Sequence, residues 1–260
     1  MSDQKAPFVN DEPLFRPLTG PDDPKLGPGA VIVSVGPDVE PLAAALDLKK
    51  KPFRHLMLSR LFLSSKKGGP VSLAGPTVGS PHTTMVLEQL CAYGAREIIF
   101  MGWCGSLNED LPVGALLVPE KAVIDEGVSC HYPLPGKGRE QFSLPDEELS
   151  LSLALAAGQG KSPVFRGPVW TTDAPFRETP SKIAAFAAKG AVAVDMETSA
   201  LFTVARFLNV RLAALCVVSD TLHGGKWNPG FFSQEFRQGR SDAKEALCLT
   251  SRRWKKSRPA

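Results

Sequence analysis

The chain has 260 residues, 43% hydrophobic and 22% charged, with 30 Lys and Arg against 27 Asp and Glu and a formal net charge of +3. That is a globular composition, enough for one large domain or two small ones. Five of the basic residues (Arg252, Arg253, Lys255, Lys256 and Arg258) crowd into the last nine positions, so the body is slightly acidic, which speaks against a nucleic-acid-binding face.

Residues 1–28, rich in proline and acids and without the charged-then-apolar pattern of a signal peptide, are expected to form an N-terminal extension. Strands are predicted over 30–35, 71–74, 97–101, 115–118, 164–170, 192–194 and 212–218. Most of these runs are too apolar to alternate, as in strands covered on both faces. The spacing predicts helices over 81–93, 179–189, 197–208 and 234–249. The first opens with Pro81 and closes on Gly94; the second opens Thr179-Pro180 and stops at Gly190. Segments 131–138 and 223–230 read as surface loops. Alternating strands and helices imply an α/β fold, a single three-layer domain over 29–250. A basic tail, 251–260, follows. It reads as solvated and frayed, with contact to an anionic surface as the alternative.

No apolar run approaches the ~20 residues of a membrane-spanning helix, so no membrane contact is expected. Five cysteines and four histidines are scattered with no Cys-x-x-Cys pair, against a disulfide framework or a metal cluster. The expectation is a cytoplasmic, metal-free protein without a resident cofactor.

In such folds ligands bind beyond the carboxyl ends of the strands. Those ends carry Gly36 to Glu40, Gly102-Trp103-Cys104-Gly105, Trp170 to Glu178, Asp195-Met196-Glu197 and Ser219-Asp220. Carboxylates, glycine turns, hydroxyls and aromatic rings together suit a flat, hydroxylated ligand. For single residues a plainer role competes: Ser219-Asp220 as a helix cap, Met196, Trp170 and Phe176 as core.

The run Val194-Asp195-Met196-Glu197-Thr198-Ser199-Ala200, followed by Val218-Ser219-Asp220, resembles the nucleoside phosphorylase family, which holds hexameric purine nucleoside and uridine phosphorylases and also methylthioadenosine and AMP nucleosidases. Gly36, Gly79-Ser80-Pro81, the turn at 102–105 and Thr171-Thr172-Asp173 support it, and 216–230 is similar to AMP nucleosidase. The resemblance implies a central mixed, partly barrel-like sheet flanked by helices. It also implies a small-molecule nucleoside as substrate, a place in purine salvage, and a homo-oligomer, dimer or hexamer.

The resemblance further implies roles. Glu197 would accept hydrogen bonds from the ribose hydroxyls while Met196 packs on the sugar. Asp220, its pKa raised by partial burial, would protonate the departing base at N7, positioned by Ser219. Trp170, Phe176 and Asp195 would contact the base, and a purine is favoured. Gly36, Gly102 and Arg60 would hold inorganic phosphate as co-substrate, with Arg60 reaching a neighbouring subunit's site.

The departures fall at the phosphate. The family's arginine four residues after the first-strand glycine is Glu40, a second arginine is Phe100, and the hydroxyl inside the turn is Trp103. Glu40 as general base would turn phosphorolysis into hydrolysis; a helix-start acid is its plainer role. Arg60, Arg166, Arg177 and Lys226 are the cations that could rebuild a phosphate site. Three readings stay open: phosphorylase, hydrolytic nucleosidase and a non-catalytic nucleoside sensor.

Overall fold

The apolar runs do become strands, and helices cover them on both faces. The computed structural model describes residues 12–65, 69–133 and 141–256. In chain order its elements are β1 (Gly29–Val33), α1 (Gly36–Ala45), β2 (Arg54–Leu56), β3 (Ser59–Leu63), β4 (Val71–Gly75) and α2 (Gly79–Ala92). Then come β5 (Glu97–Ser106), β6 (Leu116–Asp125), β7 (Phe142–Ser143), α3 (Glu147–Ala157), β8 (Val164–Thr172) and α4 (Pro180–Ala187). The last are β9 (Ala193–Asp195), α5 (Thr198–Phe207), β10 (Arg211–Thr221), β11 (Asn228–Pro229) and α6 (Gln234–Lys256).

The sheet is mixed and partly closed. β5 and β10 pair in parallel, β10 meets β6 antiparallel, β6 and β8 are parallel, and β9 joins β8 back to β5. These five strands close a barrel-like ring. From β5 the sheet continues outward through β1 and β4, in parallel, to the antiparallel hairpin β3–β2. Every residue of β1 and β4 is buried, which explains their unbroken apolar runs. On one face Val86, Leu87 and Leu90 of α2 and Leu201 and Val204 of α5 form a core with the sheet. On the other, Leu42 of α1, Leu149 and Leu153 of α3 and Phe236 and Leu247 of α6 form a second. This is the expected three-layer α/β domain.

Several expectations need correction. Residues 102–105 form no turn: they lie inside β5, where Gly105 pairs with Val194 of β9. Ser219 and Asp220 likewise lie within β10 rather than after it. Segment 223–230 is not all loop, since Asn228–Pro229 pairs with Thr221 and Asp220. Helix α3 and strands β2, β3, β7 and β11 were not foreseen, and α1 entered only as the plainer role of Glu40. α3 carried a legible start: Asp146 accepts from the Leu149 amide at 2.8 Å, with Glu147 and Glu148 in the first turn.

The tail is the clearest correction. α6 runs through Ser251 to Lys256, so the division expected at 250/251 falls inside a helix. Trp254 is 2% exposed, its indole bonded to Glu97 and its ring against Gly29, where a Cβ would come within 2.1 Å of it. Arg253 pairs with Glu97 and Glu148. Burial of one large ring and a shared carboxylate overrides the charge run that suggested fraying. Residues 257–260, residues 1–11 of the extension and 134–138 of the predicted loop lie outside the described residues.

Candidate active site

Among the described residues a cleft of about 590 Å³ opens where the ends of β5, β9 and β10 meet the loops before α1, α2 and α4. Of the residues expected at a site, it brings together Phe176, Asp195, Met196, Glu197, Ser219 and Asp220.

The β10 side is shaped by a bulge. The register of β10 against β5 shifts between Val218 and Asp220, leaving Ser219 as the extra residue. A bulge re-aims the side chains that follow it, and here Asp220 enters the cleft. Ser219 Oγ lies 2.5 Å from Asp220 Oδ1, and the Trp227 indole donates to Oδ2 at 2.9 Å. Gly105 makes room for this arrangement: a Cβ there would stand 2.4 Å from Leu222 Cδ1 and 3.2 Å from Asp220 Oδ2.

The α5 side holds a buried carboxyl pair. Glu197, at the N-cap of α5, accepts from the Gly79 amide at 2.7 Å, and Ser80 Oγ donates to the Met196 carbonyl at 2.8 Å. The start of α2 therefore fixes Glu197 and Met196 together. Asp195 accepts from Thr171 Oγ1 at 2.6 Å through one oxygen, and from the Thr198 amide at 2.9 Å and Thr198 Oγ1 through the other. Burial pushes both carboxyls above the usual range, Asp195's charge adds to Glu197's shift, and the Gly79 and Met196 amides oppose it. Asp195 thus anchors the first turn of α5 beside Glu197, and it lines the cleft with lone pairs still open to a ligand.

Other expected residues lie elsewhere. Trp170 is fully buried, stacked on Phe186 with ring centroids 4.3 Å apart, and its indole donates to Asp125 at 3.0 Å. It is core, not a base platform. Glu40 sits on the exposed side of α1, 2.5 Å from Arg60, and neither lines the cleft. Glu40 is thus not placed as a base on a bound nucleoside. Gly36, at the first turn of α1, is not a lining residue. Gly102 is a packing glycine, since a Cβ would stand 2.8 Å from the Phe100 ring and 3.1 Å from Ser34 Oγ. Arg166 pairs with Glu147.

Among the lining residues not singled out as site residues are Trp103, Glu178 and Trp227. Trp103 donates to the buried Asp38 carboxylate at 2.8 Å, which Arg240 of α6 also holds at 2.7 Å. Arg240 in turn lies over the Trp103 ring, and Phe236 meets that ring edge-on at 4.8 Å. The indole is locked in place. Glu178 follows the short 3-10 turn Pro175–Arg177; burial and the Asp220 charge push its carboxyl up to about 7, opposed by Lys182. Its signal was its place just after a strand end; for Trp227, the tertiary approach to Asp220 left none. Thr77 Oγ1, buried beside the cleft, has no hydrogen-bond partner. No Lys or Arg is among the described residues lining the cleft.

Comparison with known proteins agrees with this fold. A family model described as the phosphorylase superfamily matches residues 28–250. A guanosine phosphorylase of Halorubrum lacusprofundi is 26% identical over 162 residues, 62% of this chain and 66% of that protein. A DeoD-type purine nucleoside phosphorylase of Myxococcus xanthus is 31% identical over 166 residues, 64% of this chain and 68% of its own. Among solved structures, purine nucleoside phosphorylase from Toxoplasma gondii in complex with immucillin-H aligns with a TM-score of 0.76 at 21% identity, covering 87% of this chain and 91% of that one. Uridine phosphorylase from Vibrio fischeri ES114 gives 0.74 at 20%, covering 90% and 100%. At that identity the structural likeness speaks for the fold alone.

Proposed function

Since the chain belongs to the phosphorylase superfamily, we propose that it cleaves the N-glycosidic bond of a purine nucleoside, with inorganic phosphate as the acceptor. The observation that carries the reading is one cleft holding Glu197, pinned by the start of α2, and Asp220, aimed by the β10 bulge. Breaking the bond builds positive charge on the ribose and negative charge on the base. Glu197 accepts the ribose hydroxyls; a carboxyl whose charge burial disfavours gains most from the donors a ligand brings. Met196 packs against the sugar. Asp220, steadied by Ser219, supplies a proton at N7 as the base departs. Phe176, fully exposed at the rim, closes over the base.

The phosphate needs cations, and none is among the described residues lining the cleft. We propose that a second copy completes the site, presenting Arg60 from the β3 hairpin. Mixing Arg60→Ala with Glu197→Ala subunits should then restore activity that neither variant has alone.

A second reading has its own observation. Trp103, locked by Asp38 and Arg240, stands where the family resemblance leads one to expect a hydroxyl, and no Lys or Arg is among the described residues lining the cleft. Under that reading water is the acceptor and the enzyme is a nucleosidase. The experiment is base release from inosine, adenosine, methylthioadenosine, AMP and uridine, with and without phosphate. Phosphate-dependent release with ribose 1-phosphate supports the first reading; release without phosphate supports the second. Tight binding of one nucleoside with no release from any would overturn both in favour of a sensor.

A further inference from the structure

We propose that Glu178 is the specificity-determining residue for the substituent at position 6 of the purine, beside the N7 contact of Asp220. This rests on the purine reading of the cleft.

The loop after β8 is pinned at both ends of Glu178. Its amide bonds the Pro175 carbonyl at 3.3 Å, and the next residue, Thr179, caps α4. The Glu178 side chain faces the cleft with Asp220 and makes no side-chain hydrogen bond among the described residues. The nearest cation, Lys182 of α4, is engaged 2.7 Å from Asp125 of β6 and sits over the Trp170 ring. Asp195 and Glu197, from the β9–α5 junction, are the other carboxyls that line the cleft. Glu178 is therefore a half-buried carboxyl beside a second carboxyl, with no fixed internal partner.

Two adjacent carboxyls match one edge of a purine. Position 6 and N7 are neighbours on that edge: a 6-oxopurine shows two acceptors there, a 6-aminopurine an acceptor and a donor. With Asp220 at N7, Glu178 meets the 6-substituent. Protonated, it donates to O6; ionised, it accepts from a 6-amino group. Burial and the Asp220 charge put its change of state near pH 7, so both bases are accepted and the preference turns over with pH.

The test is the ratio of kcat/KM for inosine to that for adenosine, measured on the full chain from pH 6 to 8.5 at saturating phosphate. Asp220 acts at N7 on both substrates, so its direct part in base release cancels from the ratio. The ratio should fall by roughly fivefold or more across the range, the worth of one hydrogen bond. Glu178→Gln, whose amide both donates and accepts, should flatten the ratio while base release continues. A ratio that stays flat in the native protein, or changes with pH in the variant as it does in the native protein, overturns the proposal. If neither nucleoside is cleaved, the cleavage reading has failed and the affinities for free hypoxanthine and adenine carry the same test. A Kd ratio that shifts with pH and is flattened by Glu178→Gln supports Glu178; a flat native ratio, or binding of neither base, overturns it.

Discussion

The two sides of the cleft are built from different materials. On the β10 side, Glu178 makes no side-chain hydrogen bond among the described residues, Asp220 accepts from Ser219 and the Trp227 indole, and Lys182, the cation that acts on Glu178, is held by Asp125. On the first-strand side the polar groups are consumed by the fold: Asp38 is bonded by Trp103 and Arg240, and Glu40 by Arg60. Groups with bonding capacity left beside a cleft are available to a ligand, whereas a buried pair such as Asp38 and Arg240 costs several kcal/mol to break. Under the proposed reading, the first side serves the leaving group with little rearrangement, and the acceptor on the second side calls for a partner subunit or for water.

The largest expected effect breaks the first side. Asp220→Asn removes the proposed proton donor while keeping the shape, and base release should fall by about 10²–10⁴-fold, the usual worth of a positioned general acid. A purine nucleoside cleaved at near-native rate by this variant would remove Asp220 from the chemistry. Gly105→Ala attacks the same side sterically. Its methyl group would enter the space of Leu222 and Asp220, costing about 1–3 kcal/mol in stability and more than tenfold in rate. Denaturant midpoints and initial rates together separate the two losses.

On the other side the expected loss is of stability. Arg240→Ala leaves the buried Asp38 carboxylate with the Trp103 indole alone, and breaking such a pair costs about 3–5 kcal/mol. Urea unfolding of the variant measures it. A cost under about 1 kcal/mol would mean that Trp103 is not locked and that this side can reopen for an anion.

These contrasts also explain what the sequence made legible. Periodicity and apolar runs gave the doubly covered strands because burial on both faces leaves a local signature, and the Met196-Glu197 and Ser219-Asp220 signatures marked the cleft. The closed ring of β5, β10, β6, β8 and β9 came only from resemblance, since no short segment encodes which strand neighbours which. Trp170 was misjudged because a tryptophan near a strand end looks alike whether it faces Phe186 or a ligand. The tail was misjudged for a related reason: five positive charges outweigh one Trp254 by composition, yet that ring and the Glu97 carboxylate hold the last turns of α6. Glu178 was visible as a residue but not as a site, because its environment is made by Asp220, 42 positions away in the chain.

A smaller effect sharpens the first side through pH. Glu178 has its folded pKa raised to about 7 against an ordinary 4.5, so the native state holds its proton more tightly than the unfolded chain. Stability from this group is complete below about pH 4.5 and is lost as pH rises through 7. Glu178→Gln removes that loss. The variant's Tm relative to the native protein should rise between pH 5 and pH 8; an unchanged difference would mean that the carboxyl is solvated.

The smallest expected effect probes the second side at its surface. Glu40 and Arg60 form an ion pair whose carboxylate partner is 67% exposed, and such pairs contribute about 0–1 kcal/mol. Glu40→Gln should leave stability within about 0.5 kcal/mol and base release within roughly twofold, with or without phosphate. The wider consequence lies in the exception. A loss of more than tenfold confined to the phosphate-free reaction would mean that Glu40 leaves Arg60 and swings into the cleft to activate water. A comparable loss confined to the phosphate-dependent reaction would instead place the Glu40–Arg60 pair at the acceptor. Either result would show that the ion pairs on the first-strand side open during turnover, and the contrast between a ready leaving-group side and a closed acceptor side would hold only for the unliganded protein.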